Sequence, residues 1–231
     1  VVLYVDDDGI MDRNCLRRIV DIFEKDQNVG VGGGSIRLKE PERFKNVILP
    51  GYEGLWSERK YQEKKYFEAQ SCDDYPYGCN YAIRRTILRE IGGFRTSYGR
   101  VGKDFAGGEE VVLSHLVCRA GMKIGIDPTA IVTHDVEPSR YTLEHVRQTI
   151  RSGRLTNRLM KMDLYKPYDI GMTEEYHYLN ISQEKIKWLE ENGVSKDDLR
   201  YVYAQAELEA AKEAIQAGEK DIKIMNEYVK N

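Results

Sequence analysis

The chain has 231 residues with 35 Lys+Arg against 38 Asp+Glu, a formal net charge of -3. That length can bury a full core for one domain with appendages or for two small ones, and the near balance of charge supplies no global field for nucleic acid. No apolar run approaches the roughly 20 residues of a membrane helix. The four cysteines, Cys15, Cys72, Cys79 and Cys118, lack CxxC spacing and are expected to be free thiols of a reducing cytosol.

The chain opens on Val1-Val2-Leu3-Tyr4-Val5, an apolar run closed by Asp6-Asp7-Asp8-Gly9, which predicts a buried strand ending in a tight acidic loop. Adjacent carboxylates repel one another and persist where a cation or solvent offsets the repulsion. Oxygen donors at the carboxyl end of a strand suit Mg2+ or Mn2+, which shares its remaining positions with a phosphate; the plainer alternative is a solvated turn capping the next helix. Val1 lies inside a strand with no initiator Met, so the sequence reads as the downstream part of something longer.

Asp12 is expected to cap a helix with Leu16, Ile19, Val20 and Phe23 on its apolar face. The run Val29-Gly30-Val31-Gly32-Gly33-Gly34-Ser35-Ile36 follows that helix and no Gly-Lys-Ser/Thr comes after it, so it reads as a strand whose glycines admit a ligand or another backbone, not as a phosphate loop. Residues 51–67, rich in Tyr, Lys and Glu around Trp56, are expected to be helical, either lining an acceptor site or as a surface helix.

From Tyr77 a turn and short strand enter a helix that stops at Gly92-Gly93-Phe94. A glycine-rich loop over residues 95–108, expected to be mobile, then delivers Glu109-Glu110 to the start of a helix bearing Val112, Leu113, Leu116 and Val117. Acidic residues there complement the helix dipole whatever else they do. Two short strands, 123–126 and 130–133, are expected on either side of Asp127-Pro128, closing at His134-Asp135. A histidine ending a strand beside an acid suits a metal ligand steadied by a carboxylate, with a structural role as the alternative. A long helix from Tyr141 turns Leu143, Val146, Ile150 and Leu159 inward and carries Arg147, Arg151, Arg154, Arg158 and Lys161, either as a solvated face or as a contact for phosphate or an anionic membrane surface. A linker at 163–180 and helices over 181–231 complete the pattern.

Taken together these residues resemble the family 2 inverting glycosyltransferases that share the GT-A fold. Asp6-Asp7-Asp8 looks like the family's DxD-type motif. Gly78-Cys79-Asn80-Tyr81-Ala82-Ile83-Arg84-Arg85, continued by Gly92-Gly93-Phe94, looks like its acceptor-side segment, and Gly108-Glu109-Glu110 with Arg119-Ala120-Gly121 looks like its catalytic helix. Asp127-Pro128, His134 and Arg140 look like its closing stretch.

The resemblance implies an α/β fold with a GT-A-like mixed sheet flanked by helices. Residues 1–162 would form the catalytic half of that domain, 163–180 a linker and 181–231 a helical appendage. It implies Mn2+ or Mg2+ held by Asp6 and Asp8 with His134, and Asp7 and Arg140 beside the diphosphate of a nucleotide-sugar donor. Glu110 would be the general base, with Glu109 as the alternative because the family has Glu-Asp here. Asn80, Arg84 and Arg85 would face a glycan or lipid-linked acceptor. It also implies a cytoplasmic location, at the inner face of a membrane through the basic helix 142–161, and an upstream segment or partner chain supplying the nucleoside-binding half, without which the chain is expected to be a poor catalyst. Asp6-Asp7-Asp8-Gly9-Ile10 also resembles the opening of haloacid-dehalogenase-type Mg2+-dependent phosphatases, a second reading; a non-catalytic binding or assembly module is a third.

Overall fold

The computed structural model describes residues 1–63, 65–95, 98, 107–164 and 172–229. The chain divides into two compact units, Val1–Ser97 with Glu109–Tyr141, and Tyr98–Gly108 with Thr142–Asn231.

The first unit is α/β. In chain order it contains β1 (Val2–Tyr4), β2 (Gly9–Met11), α1 (Cys15–Lys25), β3 (Val29–Leu38), β4 (Phe67–Glu68), β5 (Tyr81–Ile83), α2 (Arg85–Glu90), α3 (Glu109–Arg119) and β6 (Lys123–His134). The strands form one mixed sheet in the order β1-β5-β3-β6-β2, with β4 also on β6. β3 and β6 run parallel, while β1 and β3 flank β5 antiparallel. The pleat sends successive side chains of β5 to opposite faces. Ala82 joins Cys15, Ile19, Ile22 and Phe23 of α1, whereas Tyr81 and Ile83 join Leu113 and Val117 of α3. The helix bearing the glutamate pair is thereby bound to one face of the sheet and α1 to the other.

β3 is buried except at Arg37, and its glycines are there for close approach. A Cβ on Gly34 would collide with the Ala130 and Asp127 carbonyls, and one on Gly33 with Pro76 and the Asn80 carbonyl. At Gly34 the close partner is backbone, one of the two alternatives in the sequence, whereas Gly30 and Gly32 admit the side chains of Val117 and Phe23.

Several local expectations change. The described residues of 51–67 do not form the expected α-helix: a 3-10 turn, Glu53–Trp56, ends at Ser57 with φ +66°, and Arg59 then bridges back to Ile36. The two strands expected around Asp127-Pro128 are one strand, β6, whose register against β3 jumps from Gly34↔Asp127 to Ser35↔Ile131. The Asp127 carboxylate closes the resulting bulge by accepting from the Thr129 N–H and hydroxyl. Asp12 does not cap α1, because Gly9–Met11 is drawn into pairing with β6 and the N-cap falls at Asn14. Cys72 and Cys118 form a disulfide with Cα atoms 6.3 Å apart, tying the 71–75 segment to α3, so only Cys15 and Cys79 are free thiols.

The second unit holds α4 (Leu143–Leu164), α5 (Met172–Glu191) and α6 (Leu199–Val229). The division differs from the expected one, since α4 falls with the C-terminal helices and the helix Met172–Glu191 begins inside the stretch 163–180 read as a linker. Its packing explains why. Arg151 pairs with Glu213, Arg154 lies 3.2 Å from the Tyr178 ring centroid, and Arg158 is buried, leaving less of that basic face for an anionic surface. Leu159, expected inward, is exposed. Ala204, Ala210, Ala211 and Ala214 line the buried side of α6, where small side chains allow close helix packing. Gly193, at φ +67°, stops α5. Among the described residues no helix is long and apolar enough to cross a membrane. Most of the loop at 95–108 lies outside the described residues.

Candidate metal and base centre

Pairing between β2 and β6 builds the site. Gly9 stands opposite His134, the Asp135 N–H donates to the Asp8 carbonyl at 2.9 Å, and the Gly9 N–H donates to the Asp6 carbonyl at 2.9 Å. The acidic loop is thus folded into a turn and pinned to the end of β6, which brings the oxygens near the start of the chain to the distant imidazole.

His134 is 1% exposed. Its Nδ1 lies 2.8 Å from the Trp56 carbonyl, a contact that assigns the proton to Nδ1 and leaves the Nε2 lone pair pointing into the site. Nε2 is 3.1 Å from Asp8 Oδ1, yet that approach is not a hydrogen bond, and Nε2 is a buried polar atom without such a partner. A buried acceptor left this way costs about 1–3 kcal/mol unless something occupies it. The Trp56 ring stacks at 5.5 Å on Tyr141 and its Nε1 donates to the Arg140 carbonyl, fixing the carbonyl that orients His134. Sequence reasoning expected a carboxylate in that orienting role. Asp135 instead pairs with Lys39 at 2.6 Å, because it follows the last residue of β6 and turns outward.

Donor atoms of Asp6, Cys79 and His134 lie within 4.8 Å of one another, and Asp8 Oδ1 is 3.1 Å from His134 Nε2. Arg140 Nη1 is 3.8 Å from Asp8 Oδ2, beside the cluster. Asp7 is exposed at the tip of the turn. The grouped donors are a carboxylate, a thiol and an imidazole whose Nε2 makes no hydrogen bond, with a second carboxylate beside it, and such donors fit a divalent cation.

Glu110 opens α3 at the same site. Burial first, then repulsion from Glu109 and Asp6, pushes its carboxyl up to about 7, while the Gly78 N–H partly offsets that push. The first turn of α3 is held to β5 by a chain in which Ser114 Oγ donates to the Glu110 carbonyl at 2.7 Å and stands 3.1 Å from the Tyr81 hydroxyl. Glu109 Oε2, on the other carboxylate of the pair, is buried without a hydrogen-bond partner.

Two of the three expected acceptor-side residues, Asn80 and Arg84, make structural hydrogen bonds. Asn80 is fully buried, and its Nδ2 donates to the Ser35 and Ala130 carbonyls at 3.2 and 2.9 Å, spanning β3 and the bulge of β6. Arg84 caps α1 through the Phe23 and Asp26 carbonyls and donates to the Val29 carbonyl at 3.0 Å. Arg85 is exposed at the start of α2. The residue that sequence reasoning passed over is Cys79. It is buried, the Asp6 carboxylate stands beside it, and burial with that negative charge pushes its thiol up to about 12. Its position next to Asn80, which the resemblance had singled out, was the available signal. Compared with known proteins, the sequence matches no family model and no curated protein.

Proposed function

We propose that this chain is the metal- and base-bearing part of a GT-A-like inverting glycosyltransferase, moving a sugar from a nucleotide-sugar donor to an acceptor hydroxyl. The observation that carries the reading is that Asp6 and Asp8 both approach His134, Asp8 at 3.1 Å from its Nε2 and Asp6 within 4.8 Å of it in a group shared with Cys79, with Glu110 close enough to feel the Asp6 charge.

Asp6, Asp8 and His134 would hold Mn2+ or Mg2+, and such an ion offsets the negative charge that develops on a departing diphosphate. Arg140, beside Asp8, adds a cation to the same end of the site and suits a phosphate oxygen. Glu110 takes the proton of the acceptor hydroxyl as its oxygen attacks the anomeric carbon. The bond from that carbon to the diphosphate breaks on the opposite face, so the configuration inverts. A carboxyl held near 7 is suited to this step, since a general base works best when its pKa lies near the working pH.

The test is release of nucleoside diphosphate from a panel of nucleotide sugars in Mn2+. Glu110→Gln is expected to cut release by about 10²–10⁴-fold while nucleotide affinity changes little. Unchanged release would remove Glu110 from the chemistry. Hydrolysis of an aryl phosphate that Asp6→Asn abolishes would favour the phosphatase reading instead.

A further inference from the structure

We propose that Cys79 is itself a ligand of this centre, so that the site holds a divalent ion through sulfur as well as nitrogen and oxygen and selects a thiophilic ion over Mg2+. The inference rests on the reading of Asp6, Asp8 and His134 as a metal site and adds a donor to it.

The geometry places three donor types together. Cys79 Sγ, a ring nitrogen of His134 and an Asp6 oxygen lie within 4.8 Å of one another. Ligands about 2.0–2.3 Å from a tetrahedral ion stand roughly 3.5 Å apart, so closing the set asks for movements of about 1 Å. The backbone holds the sulfur in place. Cys79 sits in a 3-10 turn, Gly78–Asn80, whose next residue is locked between β3 and β6, and the acidic turn packs directly on it. A Cβ on Gly9 would come 3.1 Å from Cys79 Sγ and 2.8 Å from Val5, so this turn closes over the sulfur only with glycine.

His134 Nε2 supplies the independent pointer to a ligand, being a buried lone pair aimed into the cluster without a hydrogen-bond partner. Thiolate and imidazole favour zinc-like ions, whereas Mg2+ prefers oxygen and keeps its waters. When the metal–sulfur bond forms, the thiol proton leaves to solvent, and Asp8 fills the fourth position beside His134.

Co2+ titration of the full chain, with the Cys72–Cys118 bridge kept oxidised, reads the sulfur directly through a thiolate-to-metal charge-transfer band in the near ultraviolet. The expected result is one equivalent of band, lost in Cys79→Ser, retained in Cys15→Ser, and reversed by Zn2+ but not by Mg2+ at equal concentration. Calorimetry of Cys79→Ser should show Zn2+ bound about 100-fold more weakly. Co2+ or Mn2+ binding with no such band in the unaltered chain overturns the Cys79 ligand and leaves the oxygen and nitrogen site standing. Absence of any divalent binding overturns both.

Discussion

Glu110 combines burial, a like-charged neighbour and the opening turn of a helix, and these effects oppose one another. The helix end and the Gly78 N–H favour the charged form, but desolvation with Glu109 and Asp6 outweighs them and holds the carboxyl near 7. Between about pH 4.5 and 7 the folded chain therefore keeps a proton that the unfolded chain has lost, so stability falls as pH rises through that window. Two and a half pKa units at about 1.4 kcal/mol each set an upper bound of roughly 3.5 kcal/mol. Glu110→Gln is accordingly expected to be more stable than the unaltered chain in metal-free urea unfolding at pH 8, by up to about 3.5 kcal/mol, with the difference vanishing near pH 4.5. Equal stability at both pH values would mean that the carboxyl is not strained. The glutamate pair, the Asp triplet and His134 were legible as candidates because each ends a strand or opens a helix. The Trp56 carbonyl that orients His134 and the Cys79 sulfur were not, since main-chain groups carry no sequence label and a lone cysteine reads as core.

At the scale of elements, the sequence placed α2 and α3 closely, since their periodic apolar residues and terminal glycines are local signals. It misjudged what depends on partners. Gly9–Met11 is a strand because β6 offers it an edge, and 51–67 is irregular because Arg59 is claimed by Ile36 rather than by its own helix. The glycines of β3 were read as points of approach, but only the structure identifies the Ala130 carbonyl as what approaches Gly34. Gly34→Ala is expected to cost about 2–3 kcal/mol in urea unfolding, because the added methyl meets backbone that cannot rotate away. Gly54→Ala, whose nearest neighbour would be the Tyr77 hydroxyl at 3.8 Å, should change stability by less than about 1 kcal/mol. Similar losses at the two sites would show that the bulge of β6 gives way.

On the scale of the whole molecule, every side chain assigned to the centre belongs to the α/β unit, in Val1–Ser97 or Glu109–Tyr141. The helical unit contributes none of them. That division was only partly legible, since α4 follows the sheet in sequence and its basic stripe resembled a surface, while its partners on α5 and α6 are distant in the chain. The centre's ability to hold a cation and a phosphate should therefore be a property of the ligands named above. Calorimetric titration of the full chain with Mn2+, followed by a nucleoside diphosphate, tests this most directly. One Mn2+ site, nucleotide heat that appears only once Mn2+ is bound, and loss of at least about tenfold in Mn2+ affinity in both Asp8→Asn and His134→Ala are expected. No Mn2+ binding, or binding that neither substitution alters, would contradict the account.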